Sequence, residues 1–434
     1  MRRLYTLLWY LLLPFVALAG LRRARREQAA GIAAGALRPG LLWRERLARA
    51  PVGRPPSHDT LWVHAASVGE VQLAAVLIGA LLAHSPRRPI ALSCQTATGR
   101  ARARELLPDL PLRYAPFDLP GAVRRCFAQL RPSTLVLMET ELWPNLLAEA
   151  ARQRVPVVIA SARLSARSVR GYQLLRGLLR PAIEANVWVA AQSAADAERF
   201  AALGVPPERL SVAGNLKFDR PAPLDASARG AALRAWLGAR PVWVAGSTHP
   251  VEQAIVLEAH RRLCAHSPDA LLVLAPRHPP RFEEAARQLQ ADTWRYRRRS
   301  RERAETPLPA ACQVLLLDTL GELVDFYAAA DVAFVGGSLV PVGGHNLLEP
   351  AALAVPLLAG PHQHNSPQVA RLLAQLGALS IVGDAEQLTA RLQALFASPA
   401  LRREQGERAR AALEQHRGAL QSVVTLIAGL SRAP

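Results

Sequence analysis

The sequence predicts an α/β protein of two doubly wound domains, and three observations carry that expectation. At 434 residues the chain is too long for one ordinary hydrophobic core. Half of its residues are hydrophobic and 20% are charged, the balance of a globular protein. Short apolar runs alternate with helical stretches in two series, separated by a proline-rich segment, as in parallel sheets. In such sheets ligand groups gather at the carboxyl ends of the strands. The polar segments of this chain fall at those ends.

The chain opens on an almost wholly apolar stretch, residues 4–21, with Arg2 and Arg3 before it and Arg22, Arg23, Arg25 and Arg26 after it. About 18 apolar residues are near the minimum for one membrane span. Ala17, Leu18 and Ala19 resemble a signal-peptide cleavage site, but the arginines that follow argue against export. Residues 1–22 are therefore expected to be an uncleaved membrane anchor, spanning the bilayer or lying in its interface. The globular part would stay on the cytoplasmic side. Residues 22–54 are basic, with Leu41, Leu42, Trp43 and Leu47 at helical spacing, and suit a headgroup-facing helix or a structural one equally.

The first domain, 23–217, places strands at 60–64, 89–93, 133–138, 155–160 and 188–191, each followed by polar residues and a helix. Residues 218–225, which are rich in proline, read as a linker. The second domain, 226–434, places strands at 241–245, 270–274, 313–317, 331–335 and 355–358. The arginine run at 295–303 interrupts it and reads as a solvated loop. Two such domains facing a cleft describe GT-B glycosyltransferases, but two-domain binding proteins and some epimerases give the same pattern.

Charge and composition narrow the partners. A formal charge of +19 points to anionic ones. Nucleic acid is disfavoured, since aromatics are only 5% and no nucleic-acid-binding motif is present. Anionic lipid or a phosphorylated substrate fits better. Of 53 basic residues only Lys217 is a lysine, and a lone lysine among arginines suggests a place where a compact ammonium is needed. Chance survival explains it as simply. The four cysteines form no CxxC pair, so neither a zinc site nor a disulfide framework is expected. No DxD-like metal pair is seen in the cleft segments either, and the chemistry is expected to need no metal or other cofactor.

Several strand-end residues suit group transfer. Glu70 follows a Ser67-Val68-Gly69 turn, where a carboxylate can act as a base or simply favour a helix start. Glu139 and Glu141 lie two apart in METELWPN and share a face if that segment is extended. Lys217 lies in GNLKFD at the domain junction. Pro276 and Arg277 close a strand, and an arginine there can pair with a phosphate or cap a loop. Leu320, Gly321 and Glu322 follow Asp318 and Thr319, where backbone amides can face a nucleotide. The run FVGGSLVPVGGHNLLEP joins a strand to a helix start at Asn346, Leu347, Leu348 and Glu349. Its glycine amides offer an anion site, or Asn346 is an N-cap with Glu349 closing a capping box.

Taken together, the segments HAASVGE, METELWPNL, SARLSARS, GNLKFD, GSTHPVE, PRHPPRF, DTLGEL and FVGGSLVPVGGHNLLEPAA resemble the 3-deoxy-D-manno-octulosonic acid (Kdo) transferases of Gram-negative bacteria. They span nearly the whole chain in one order, with DTL where the family commonly reads DTM. The resemblance implies a GT-B fold of two Rossmann-like domains with an N-terminal anchor in the cell inner membrane. It implies an inverting transfer of Kdo from CMP-Kdo onto the tetraacyl lipid A precursor, in lipopolysaccharide core biosynthesis. By motif position Glu70 matches the family's proton acceptor, and Glu139 and Lys217 match residues credited with stabilising the transition state. Pro276, Arg277, Leu320, Gly321, Glu322, Asn346, Leu347, Leu348 and Glu349 match the CMP-binding segments. The glycine-loop amides are expected to share the negative charge of the departing CMP. A nucleotide-sugar epimerase on the same fold, or a non-catalytic lipid-binding scaffold, are the rival readings.

Overall fold

A computed structural model of the chain describes residues 2–29, 39–50, 59–220, 225–303 and 305–430. Residues 221–224 of the expected linker and parts of the basic stretch 22–54 lie outside the described residues. The chain divides into two compact units, Met1–Arg220 with His416–Pro434, and Pro221–Gln415.

The first unit is built on a seven-stranded sheet of β1 (Thr60–Ala65), β2 (Ile90–Cys94), β3 (Leu112–Tyr114), β4 (Pro132–Met138), β5 (Val157–Ala162), β6 (Val187–Ala191) and β7 (Leu210–Val212). Their order across the sheet is β3-β2-β1-β4-β5-β6-β7. The second unit repeats the plan with β8 (Val242–Thr248), β9 (Leu271–Pro276), β10 (Tyr296–Arg298), β11 (Val314–Leu316), β12 (Val332–Val335), β13 (Leu357–Ala359) and β14 (Leu379–Ile381). Here the order is β10-β11-β9-β8-β12-β13-β14. Every pairing is parallel.

Helices cover both faces of each sheet, which is why the central strands read as unbroken apolar runs. Successive side chains serve opposite cores. Leu135 and Leu137 of β4 enter one, Val136 and Met138 the other. Trp243 and Ala245 of β8 likewise oppose Val242 and Val244. The ten strands expected from the sequence all begin within two residues of their expected positions. The four unforeseen strands, β3, β7, β10 and β14, are the sheet edges; they are partly exposed and carry polar residues, so they lack the apolar run that marks the equally short interior strands β11 and β13.

Two expectations change. Residues 295–303 are not a solvated loop but the edge strand β10 and a 3-10 turn, Arg299–Arg301. Opposite charges hold them: Arg298 pairs with Asp318 at 2.7 Å and Arg299 with Glu322 at 2.8 Å. The second domain also stops earlier than expected. From His416 the chain returns to the first unit, where Asp219 accepts hydrogen bonds from the Gly418 and Leu420 amides at 2.7 and 3.0 Å. The helix Ala419–Leu430 then buries Val423, Val424 and Ile427 in the first unit's core.

The apolar N-terminal stretch is a helix, Arg2–Ala29, with Pro14 inside it. Among the described residues no helix is long and apolar enough to cross a membrane. Trp9 and Leu13 pack with Trp43 and Leu47 on Phe117, Leu119 and Ala122 of the first unit. Leu4, Leu8, Leu11, Leu12, Phe15 and Leu18 remain exposed.

Candidate active site

In an open α/β sheet the crevice lies where neighbouring strands send their connections to opposite faces. In the first unit that point falls between β1 and β4, and the expected site residues follow those strands. Glu70 is the third residue of the helix Val68–His84, which starts directly after β1. Ser67 caps that helix, with its Oγ accepting from the Glu70 amide at 3.3 Å and donating to Glu70 Oε1 at 2.9 Å. The Ala66 amide donates to Oε2 at 2.8 Å. The carboxylate is thus fixed from one side, and a carboxylate has about four acceptor positions, so it keeps capacity for a substrate proton. Burial pushes its pKa up against those hydrogen bonds, and the nearby Glu139 adds to the rise.

Glu139 ends β4 in a left-handed conformation, φ +53°. Such a backbone costs a non-glycine residue about 1–3 kcal/mol and is commonly retained at functional sites. It is held on both sides, the Glu139 amide donating to Ala160 O at 3.0 Å and Glu139 O accepting from the Arg163 amide at 3.4 Å. The bend brings Glu139 Oε1 to 4.0 Å from Lys217 Nζ. Lys217 sits in a 3-10 turn, Leu216–Asp219, whose Asn215 Oδ1 accepts from the Lys217 amide at 3.0 Å. Ser161, also at φ +53°, anchors the turn from β5, its Oγ accepting from the Leu216 amide at 3.4 Å. Glu70, Glu139 and Lys217 are therefore brought to one end of one sheet. Glu141 joins them: burial, then the charges of Glu70 and Glu139, raise its pKa to about 7.

In the second unit the expected residues again follow strand ends, those of β9, β11 and β12. Pro276 and Arg277 close β9, with Pro276 buried and Arg277 exposed. Leu320, Gly321 and Glu322 follow β11, with Leu320 74% exposed and Gly321 at φ +90°. Glu322 is turned toward β10, accepting from Arg299 and from Thr319 Oγ1. Asn346, Leu347, Leu348 and Glu349 follow the glycine loop after β12. The helix there is short, Leu348–Ala352, and Asn346 Oδ1 accepts from the Leu348 amide at 3.1 Å.

The glycine loop departs from its expected role. The amides of Gly337, Ser338 and Leu339 point to the carboxylate of Glu252, at 2.7, 3.0 and 2.9 Å. Glu252 is fully buried and also accepts from the His249 amide at 3.2 Å. An internal anion fills the cradle expected for a phosphate, so those three amides are not free for one. The close approach explains Gly336, where a Cβ would lie 2.7 Å from Glu252 Oε2. Sequence reasoning missed this role although GSTHPVE contains the signal, a glutamate at the third position of a helix.

It also missed a histidine group. His249 Nε2 lies 3.0 Å from His345 Nε2 with the rings stacked, and His278 stands edge-on to His249. Burial first, then Arg277 and the neighbouring imidazoles, lowers the pKa of His345 to about 4. Burial and Arg277 also lower those of His249 and His278. The group is neutral near pH 7, and the cations beside it are Arg277 and Arg281. Among the described residues no group of three or more His, Cys, Asp or Glu side chains is placed to hold a metal ion.

Residues 42–220 match the family model described as 3-deoxy-D-manno-octulosonic-acid transferase (kdotransferase). The 3-deoxy-D-manno-octulosonic acid transferase of Bordetella pertussis is 42% identical over 96% of both chains. That of Haemophilus influenzae is 38% identical over 86% of this chain and 87% of its own. The crystal structure of Acinetobacter baumannii MurG is similar in fold, with a TM-score of 0.53 and 16% identity over 86% of this chain and 99% of its own. The two parallel sheets are those of the GT-B fold, and the chain belongs to the 3-deoxy-D-manno-octulosonic acid transferase family.

Proposed function

We propose that the chain is an inverting glycosyltransferase that moves Kdo from CMP-Kdo onto the tetraacyl lipid A precursor. The observation that carries this reading is the first unit's site, where a carboxylate of raised proton affinity stands near a lysine–carboxylate pair at the sheet's switch point.

In this mechanism Glu70 takes the proton of the acceptor hydroxyl as its oxygen attacks the anomeric carbon of Kdo. A base whose pKa is raised toward the working pH holds that proton better, and such groups contribute typically 10²–10⁴-fold. The bond from the anomeric carbon to the CMP phosphate breaks as the new one forms, so the configuration inverts. Lys217, held by Glu139, supplies a compact positive charge for the transition state. Pro276, Arg277, Leu320, Gly321, Glu322, Asn346, Leu347, Leu348 and Glu349 form the donor-binding segments in this reading. With three glycine-loop amides committed to Glu252, the leaving phosphate falls mainly to Arg277.

The first helix fits a membrane surface. Its exposed leucines and Phe15 offer an apolar face and Arg2, Arg3 and Arg22 offer charge, while Trp9 and Leu13 are occupied by the first unit. That division supports a helix lying in the interface of an anionic inner membrane, on its cytoplasmic side. Glu70→Ala tests the mechanism: transfer is lost and CMP binding retained. Turnover near the wild-type rate in that variant would remove Glu70 from the reaction.

A further inference from the structure

Residues 139–143 run directly into the helix Pro144–Arg152, and Trp143 before it gives no side-chain cap. The first-turn amides of that helix need acceptors, and Asp118 supplies them from elsewhere in the chain. Its Oδ2 accepts from the Asn145 amide at 2.9 Å and its Oδ1 from the Leu146 amide at 2.8 Å. Asn145 Nδ2 donates to Asp118 O at 2.6 Å. The Asp118 residue is 2% exposed.

Among the described residues, one further donor to this carboxylate comes from the N-terminal helix. Tyr5 Oη donates to Asp118 Oδ2 at 2.9 Å, and Trp9 Nε1 donates to Tyr5 Oη at 2.7 Å. Asn145 Nδ2 also reaches Thr6 Oγ1 at 3.4 Å. A helix that only tethers the chain to lipid needs none of these polar groups, since leucine in place of Tyr5 and Trp9 would serve as well. Instead the stripe Tyr5, Trp9 and Leu13, one side chain per turn, meets the first unit where the Glu139 segment is anchored.

We infer that Tyr5 and Trp9 are positioning residues: through Asp118 they fix the start of the helix Pro144–Arg152, and with it Glu139 and Glu141. The first helix is then part of the catalytic unit as well as its membrane contact. This rests on the reading of Glu70, Glu139 and Lys217 as the catalytic group.

The test uses the full chain in detergent micelles, with CMP-Kdo and the tetraacyl lipid A precursor. Initial rates are divided by the amount of bound CMP, and the thermal melting of each variant is recorded, so that neither a misfolded second unit nor a misfolded first unit counts. Tyr5→Phe keeps the ring and removes one donor to a carboxylate; its turnover number should fall about three- to tenfold. KM for CMP-Kdo and binding to phosphatidylglycerol vesicles should stay at wild-type values. Trp9→Phe should show the same pattern with a smaller fall, and Tyr10→Phe, on the exposed face, should change nothing. Wild-type turnover per CMP site in both Tyr5→Phe and Trp9→Phe overturns the inference, as does a fall that only tracks lost vesicle binding. Glu70→Ala is run alongside. If it is inactive while Tyr5→Phe and Trp9→Phe are both normal, the positioning role alone fails; if it is active, the catalytic reading fails.

Discussion

Glu70 and Glu252 occupy the same place in the two units. Each is the third residue of the helix that follows the sheet's central first strand, β1 in one unit and β8 in the other. Their surroundings separate them. Glu252 is fully buried and accepts four backbone amides, three of them from the glycine loop after β12. Glu70 accepts one amide and one hydroxyl, lies half-exposed, and shares its sheet end with Glu139, Glu141 and Lys217. A carboxylate that is fully hydrogen-bonded inside the protein is a structural anion. One with spare acceptor positions and raised proton affinity is a base in waiting. The same helix position has thus been given to architecture in one unit and to chemistry in the other.

The contrast is sharpest under alanine substitution. Glu70→Ala should lower the transfer rate by about 10²–10⁴-fold and leave the melting temperature within a degree or two of wild type. Glu252→Ala should do the reverse in kind. Each stranded buried donor costs about 1–3 kcal/mol, a large share of the ~5–15 kcal/mol that stabilises a domain, so the second unit should melt far earlier or fail to fold. Calorimetry on both variants would break the comparison if Glu252→Ala melts normally.

A milder substitution probes the charge beside Glu70. Lys217→Arg keeps the charge but replaces a compact ammonium with a planar fork, and should cost about tenfold in turnover with CMP binding intact. Wild-type kinetics would make the lone lysine a chance survivor.

The smallest effect is in pH dependence. Glu141 has a pKa of about 7 in the folded chain against an ordinary 4.5. Between those values the folded state holds a proton that the unfolded chain has released, so stability falls as pH rises through that window. Glu141→Gln should flatten the fall, seen as denaturation midpoints measured from pH 4.5 to 7. Profiles that superpose on wild type would take Glu141 out of the group.

How far these features were legible in the sequence depends on how local their causes are. Interior strands such as β4 and β8 announce themselves because burial on both faces leaves an unbroken apolar run. The three-residue edges β3, β7, β10 and β14 do not, since their pairing is decided by the neighbouring strand. Glu70, Glu139 and Lys217 were recoverable as polar residues at strand ends and by family resemblance. Their meeting depends on left-handed bends at Glu139 and Ser161 that residue type does not reveal. The glycine loop misled for a physical reason: a row of amides attracts any anion, and the one it found is Glu252, 85 residues from Gly337 in the chain. The return of the helix Ala419–Leu430 to the first unit is equally non-local, fixed by Asp219 across a separation of 199 residues.

The most direct measurement is the transfer of Kdo from enzymatically regenerated CMP-Kdo to the tetraacyl lipid A precursor, with products resolved by mass, for wild type and Glu70→Ala side by side. CMP binding is measured on the same samples. The expected result is an acceptor heavier by one or more Kdo masses with wild type and an unmodified acceptor with Glu70→Ala, both proteins binding CMP. An unmodified acceptor with folded, CMP-binding wild type would contradict the proposed reaction, and a modified acceptor with Glu70→Ala would contradict the role of the base.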